Sequence, residues 1–124
     1  MFRTPPSAVA AAIQPGEQFK NLSNEAARIE IVNGTKTEGA GGRVAEWLKA
    51  QGFSVTLVDA ADRNDYAQTV IVDSADKAFT RALALNVMRL PADRWHRGPT
   101  GVQNVDLRIV IGQDFDLSLL PTSQ

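Results

Sequence analysis

The sequence predicts an α/β fold: a two-layer α+β sandwich in the order β-α-β-β-α-β, with a four-stranded mixed sheet and two helices on one face. Three observations predict it. Arg28-Ile29-Glu30-Ile31-Val32 and the stretch from Val105 to Ile111 alternate polar and apolar residues at period two. Two segments around Val44 and Leu83 carry apolar residues at helical spacing instead. Only a short polar stretch, residues 59–66, separates the second and third strands, which leaves no room for a helix, so those strands run antiparallel.

Residues 1–26 read as a tail or linker, because Pro5, Pro6, Pro15 and Gly16 break regular structure, although a short helix over 7–13 is compatible with the composition. The first strand ends at Asn33-Gly34, both tolerant of positive φ. A glycine-rich stretch, 35–42, leads into a helix with Ala40, Val44, Ala45 and Leu48 on one face, closed by Gly52 as a left-handed cap. Phe53, Val55 and Leu57 alternate with Ser54 and Thr56 in a second strand, and residues 68–72 form a third, rich in β-branched side chains. Ser74 and Asp76 stand where the next helix needs a cap. Its apolar stripe is Phe79, Leu83 and Val87, widened by Ala78 and Ala82, and Pro91 ends it. Residues 89–104 form a long loop before the last strand. Each β-α-β unit is expected to join parallel strands. The sheet face opposite the helices carries Arg28, Glu30, Ser54 and Thr56 and reads as solvated. The folded domain spans 27–116, with a C-terminal tail over 117–124.

A chain of 124 residues buries about two-thirds of its unfolded surface, enough for one core and too little for two domains. The apolar fraction of 44% and charged fraction of 22% exclude a disordered or collagen-like chain. Thirteen basic against fourteen acidic residues give a net charge of −1, which disfavours nucleic acid as a partner. With no cysteine and one histidine, His96, the chain has no disulfide, no thiolate zinc site and no cysteine nucleophile. No metal and no cofactor is expected. No apolar stretch reaches the roughly 18–20 residues that span a bilayer. The N-terminus has no sustained apolar region after Arg3, so it does not read as a signal peptide, and a role outside the cytoplasm implies that the chain is a fragment of something longer.

The sharpest local feature is strand, glycine-rich turn, helix, with Asp59 at the end of the second strand. Such turns can cradle phosphate, and a dinucleotide site places an acid there. The spacing fails, however. G-x-G-x-x-G started at Gly39 meets Val44, and G-x-x-x-x-G-K started at Gly34 meets Ala40 where lysine is required. The plainer reading is that Gly34 and residues 39–42 permit a tight turn and close helix packing. Asp62 and Asp65 flank Arg63 in a charged loop with Tyr66. A carboxylate pair could serve glycoside hydrolysis, but a solvated loop with a packed tyrosine accounts for the same residues. Asp114 and Asp116 read the same way. Trp95-His96-Arg97 could form a cationic-aromatic patch, against the simpler reading of an exposed loop with Trp95 packed on the core. Trp47 and Phe79 read as core. No G-x-S-x-G elbow is present and no serine has a nucleophile context.

Taken together, Ile29 to Thr35, Gly42 to Leu48, Gly52 to Val55, Asp62 to Thr69 and Val105 to Phe115 resemble the LytR C-terminal domain family (LytR_C), in order and without large gaps over roughly 27–116. The resemblance implies a domain outside the bacterial membrane, following a transmembrane anchor and often a LytR–CpsA–Psr catalytic domain. That catalytic domain resembles a phosphotransferase moving anionic glycopolymers onto peptidoglycan, and nothing in this chain resembles it. The parent proteins carry the older label "transcriptional attenuator", yet no basic helix-turn-helix is present.

The expectation is a non-catalytic accessory domain of a cell-envelope protein, binding cell-wall glycopolymer, peptidoglycan or an envelope protein, and touching the membrane only through the parent's anchor. The expected ligand surface is Asn33 and Thr35 as hydrogen-bonding groups, Arg63 as partner for an anion, and Tyr66 as a platform for a sugar. The alternative is a structural module that forms homo-oligomers through an exposed strand edge.

Overall fold

A computed structural model describes residues 15–120. Helix α1 (Pro15–Glu25) precedes β1 (Ile29–Asn33), α2 (Ala40–Ala50), β2 (Val55–Ala60), β3 (Val70–Asp73), α3 (Ala78–Val87), β4 (Trp95–Arg97) and β5 (Leu107–Ile111), with a 3-10 turn at Leu117–Leu119. The five strands form one sheet in the order β2-β1-β5-β3-β4. Strand β1 is parallel to both β2 and β5. Strand β3 is antiparallel to β5 and parallel to β4.

The mixed α/β architecture matches the sequence reading, with three helices and five strands among the described residues in place of two and four. The fifth strand, β4, lies inside the stretch read as a loop. It has only three residues between proline and glycine punctuation, so its own pattern carries no signal. Pairing with β3 makes it a strand. The second β-α-β unit therefore joins β3 to β4, while the last long strand runs opposite to β3. Strands β2 and β3 do run in opposite directions, but β1 and β5 separate them.

The other correction is α1, placed in the tail by the sequence reading. Proline is tolerated in a helix's first turn, and Gly16 costs only about 1 kcal/mol. Leu22 repays that by entering the core. The short helix considered over 7–13 lies outside the described residues. At the other end, Leu120 is buried as well, so part of the segment read as a C-terminal tail packs on the domain.

Residues on alternate positions build the core face of the sheet. Ile31, Ile109, Ile71 and Trp95 form one row across four strands, and Ile29 pairs with Leu107 in the next. Val44, Ala45 and Leu48 of α2, Leu83 and Ala84 of α3, and Met88 just after α3 pack on this face. Helix α3 is rotated from the expected stripe. Leu83 is buried, but Ala78 and Ala82 face solvent, and Thr80, Ala84 and Leu85 are buried instead.

Neither Ser74 nor Asp76 caps α3. Glu25, at the end of α1, accepts from the amides of Phe79 at 2.8 Å and Thr80 at 2.7 Å. Asp73 accepts from the amides of Ala75, Asp76 and Lys77 ahead of the helix. The capping groups come from other elements, which a local pattern does not reveal.

On the opposite face, Arg28, Ser54 and Thr56 are exposed as expected, but Glu30 is buried. It stands in the row Leu57, Glu30, Arg108, Val72, His96. Arg108 Nε lies 3.5 Å from its carboxylate.

Candidate functional site

Strands β1, β2 and β5 are parallel, so their C-terminal ends emerge on one side. In open α/β sheets this is where ligands bind. The segment after β2 crosses these ends. Ala61 N–H donates to Asn33 O at 3.2 Å, Tyr66 N–H to Gly34 O at 3.0 Å, and Gln113 N–H to Tyr66 O at 2.8 Å. Gly34 is held close on both sides: a Cβ there would stand 2.6 Å from the Tyr66 ring and 2.8 Å from Ile111 O. Gly112 is tighter still, since its Cβ would meet the Gln68 backbone at 2.4 Å. Thr69 completes the clamp. Its hydroxyl oxygen accepts from Gly112 N–H at 2.9 Å, and Asp114 accepts from the Thr69 amide at 2.7 Å while pairing with Arg94. Asp114 is thus a structural tie rather than a solvated tail residue.

Beside this crossing lies an open depression of about 680 Å³, lined by Asn33, Thr35, Lys36, Glu38, Ala60, Ala61, Arg63, Asn64 and Asp65. Three of the four residues singled out from the sequence, Asn33, Thr35 and Arg63, meet here. Tyr66 sits just beneath, its ring 4.4 Å from the Arg63 guanidinium.

These groups are already engaged with one another. Asn33 Oδ1 accepts from Thr35 N–H at 3.0 Å and from its hydroxyl at 2.7 Å, and Asn33 Nδ2 donates to Thr37 O at 3.0 Å. Both side chains therefore shape the loop that forms the rim. The Tyr66 hydroxyl donates to Asp62, which holds the Asp62 carboxyl below its ordinary value and raises the tyrosine above its own. Arg63 pairs with Asp65 at 2.9 Å. Both carboxylates of this loop thus have partners, and Asp62 is held in the ionised form rather than the protonated form that a general acid needs.

The polar groups most available on the rim are ones the sequence reading passed over. Lys36, Glu38 and Asn64 have no side-chain hydrogen bond or ion pair among the described residues. Lys36 adjoins Thr35 in the glycine-rich turn, which was the available signal. Gly39, at φ 80°, allows that turn to enter α2, and Gly41 leaves no room for a Cβ beyond 3.2 Å from Asn33. Among the described residues no group of three or more His, Asp or Glu side chains is arranged to hold a metal, and no helix there is long and apolar enough to cross a membrane.

Trp95 packs against the core with the Arg81 guanidinium 3.5 Å over its ring, and His96 is exposed on β4. Trp47 packs against Phe115 with ring centroids 6.0 Å apart. Asp116 accepts from Ser118 N–H and caps the 3-10 turn.

Residues 26–115 match the family model LytR_C, described as LytR cell envelope-related transcriptional attenuator. The chain belongs to the LytR_C family. The matched span holds every strand, α2, α3 and the whole depression, while α1 precedes it. The fold also resembles the crystal structure of the soluble domain, residues 71–217, of a conserved hypothetical secreted protein from Mycobacterium marinum. The TM-score is 0.51 at 21% identity, covering 90% of this chain and 76% of that one. At that identity the likeness concerns the fold alone. Comparison with curated proteins gives no match.

Proposed function

We propose that this chain is an accessory domain without catalysis of its own, working outside the cytoplasmic membrane as part of a cell-envelope protein tethered there. Its depression at the ends of β1 and β2 holds cell-wall glycopolymer or peptidoglycan. The carrying observation is the convergence of Asn33, Thr35, Lys36, Arg63 and Asn64 on one rim beside the ends of parallel strands. Asn33 and Thr35 hold the rim in shape. Lys36, Arg63 and Asn64 supply donors to hydroxyl or anionic groups of the polymer, and Tyr66 props the Arg63 guanidinium. With a net charge of −1 the chain has no overall field to attract an anionic polymer, so the attraction is local.

The test is retention of the purified chain on isolated peptidoglycan with its attached polymers. Lys36→Ala and Arg63→Ala are expected to release the chain at lower salt than the wild type, and Tyr66→Ala to do so more weakly. Retention unchanged in all three overturns the assignment.

The homo-oligomer reading keeps one supporting observation. Leu57 and Val58, 36% and 43% exposed, are adjacent on β2, a sheet edge. Light scattering over a dilution series tests it: a dimer that dissociates on dilution and that Val58→Lys abolishes supports edge pairing.

A further inference from the structure

A second, narrower concavity of about 230 Å³ adjoins the depression, between the turn after β1 and the segment after β5. Thr35 and Lys36 line both, so one ridge separates the two. The walls of the slot are residues 35–37 on one side and Gly112 and Gln113 on the other, and Phe115 and Leu117 supply its apolar lining.

The slot is held in shape from behind. Thr69 Oγ1 accepts from Gly112 N–H at 2.9 Å, and Tyr66 O accepts from Gln113 N–H at 2.8 Å. Phe115 is buried with its ring against Trp47, and Asp116 caps the 3-10 turn that carries Leu117. The Thr35 hydroxyl is committed to Asn33. Thr37 and Gln113, by contrast, enter hydrogen bonds through their backbones. Their side chains, with that of Lys36, have no partner among the described residues.

This lining fits a methyl-bearing amide. An amide offers one donor and one acceptor, and the Thr37 hydroxyl and the Gln113 carboxamide can each meet either. A methyl beside it gains by leaving water against Phe115 and Leu117. A phosphate would leave the apolar lining unused, and an acyl chain would leave the wall groups unpaired. The volume is also below the roughly 300–1,000 Å³ that enclose a whole drug-sized molecule, so the slot takes one substituent of a larger ligand.

We propose that the slot is an acetamido subsite: it receives the N-acetyl group of an amino-sugar unit, while the next unit of the same glycan crosses the Thr35–Lys36 ridge into the depression. The subsite rests on the polymer reading above and narrows the ligand to a glycan with N-acetylated sugars, a description that peptidoglycan meets and an unacetylated wall polysaccharide does not. Lys36, common to both cavities, stands where the two units join.

The test titrates the full chain with two soluble tetrasaccharides of the same linkage, one of N-acetylglucosamine and one of glucose, and follows amide chemical shifts. The N-acetylated probe is expected to shift Thr37, Gln113 and Leu117 together with Lys36 and Asn64. The glucose probe, without the methyl and the amide hydrogen bonds, should bind about tenfold or more weakly. Gln113→Trp, at an exposed position whose backbone bond to Tyr66 survives, should fill the slot and abolish the shifts at Thr37 and Leu117. Thr37→Val, which keeps the shape and removes the hydroxyl, should weaken binding several-fold. Equal affinity for the two probes, shifts retained in Gln113→Trp, or no shift at these amides overturns the subsite. Retention on peptidoglycan that depends on Lys36 and Arg63 is read separately, so the polymer reading can stand while the subsite falls. Loss of that dependence with the acetamido-specific shifts intact would strike the depression alone.

Discussion

Asp73 on β3 and Glu30 on β1 are both buried in one sheet, at 0% and 1% exposure. Around Asp73 stand three backbone N–H groups and the Arg81 guanidinium at 2.6 Å. Burial alone would raise its carboxyl, but the Ala75 amide, Arg81 and the other two amides outweigh that and hold it below the ordinary value. Burial raises the Glu30 carboxyl, the Asp59 carboxyl raises it further, and one imperfectly placed arginine, Arg108, does not offset them. Burial thus does not decide the charge of an acid. The number and aim of the donors around it do.

The largest expected effect breaks the better satisfied site. Asp73→Ala strips the acceptor from three amides ahead of α3 and leaves Arg81, whose side chain is 14% exposed, with only the more distant Asp76 at 3.5 Å. It should cost about 3–5 kcal/mol, read as a lower urea midpoint at unchanged slope.

The pH profile of stability compares the two acids directly. The contribution of Asp73 is fully present above the ordinary carboxylate value and is lost as pH falls below it, because its folded value is depressed. Glu30 has the opposite sign: its contribution is lost as pH rises from the ordinary value through its raised one. The melting temperature should therefore peak in the mildly acidic range. Asp73→Asn should flatten the acid limb only. A profile rising monotonically to pH 8 contradicts the assignment for Glu30.

The third acid, Glu25, caps α3 from outside its own helix. Glu25→Ala removes two cap hydrogen bonds and should cost about 1–2 kcal/mol. Because Lys77 Nζ donates to the backbone O of Glu25, at 2.6 Å, that tie survives the substitution. Equal loss in Glu25→Ala and Asp73→Ala would show that helix capping, rather than the buried ion pair, dominates both.

Much of the fold is legible in the sequence because burial leaves a period. Ile29 and Ile31, and Leu107, Ile109 and Ile111, alternate because one face of a strand meets the core. Val44, Ala45 and Leu48 recur because one side of a helix does. The glycines of the first turn are legible as well, since Gly34 is required by close approach and Gly39 by its positive φ. The candidate site was half legible. Loop position and residue type pointed to Asn33, Thr35, Arg63 and Tyr66, which do meet, but pattern does not show that these groups hydrogen-bond to each other and leave Lys36 and Asn64 as the available donors. Helix α1 was missed because its proline and glycine outweighed the weak signal of Leu22, and β4 because three residues carry no period.

The sequence by itself determined the class of fold, the order of its main elements and the family, since each follows from local periodicity or from residues in series. Only the tertiary structure decided which strands are neighbours, which residues cap α3, and which acids are buried. Glu30 reads as an ordinary solvent-facing position in an alternating strand. What buries it is its place between β2 and β5, opposite Leu57 and Arg108, residues some 30 to 80 positions away in the chain. Its charge depends on donors those elements supply or fail to supply, and no local pattern encodes that.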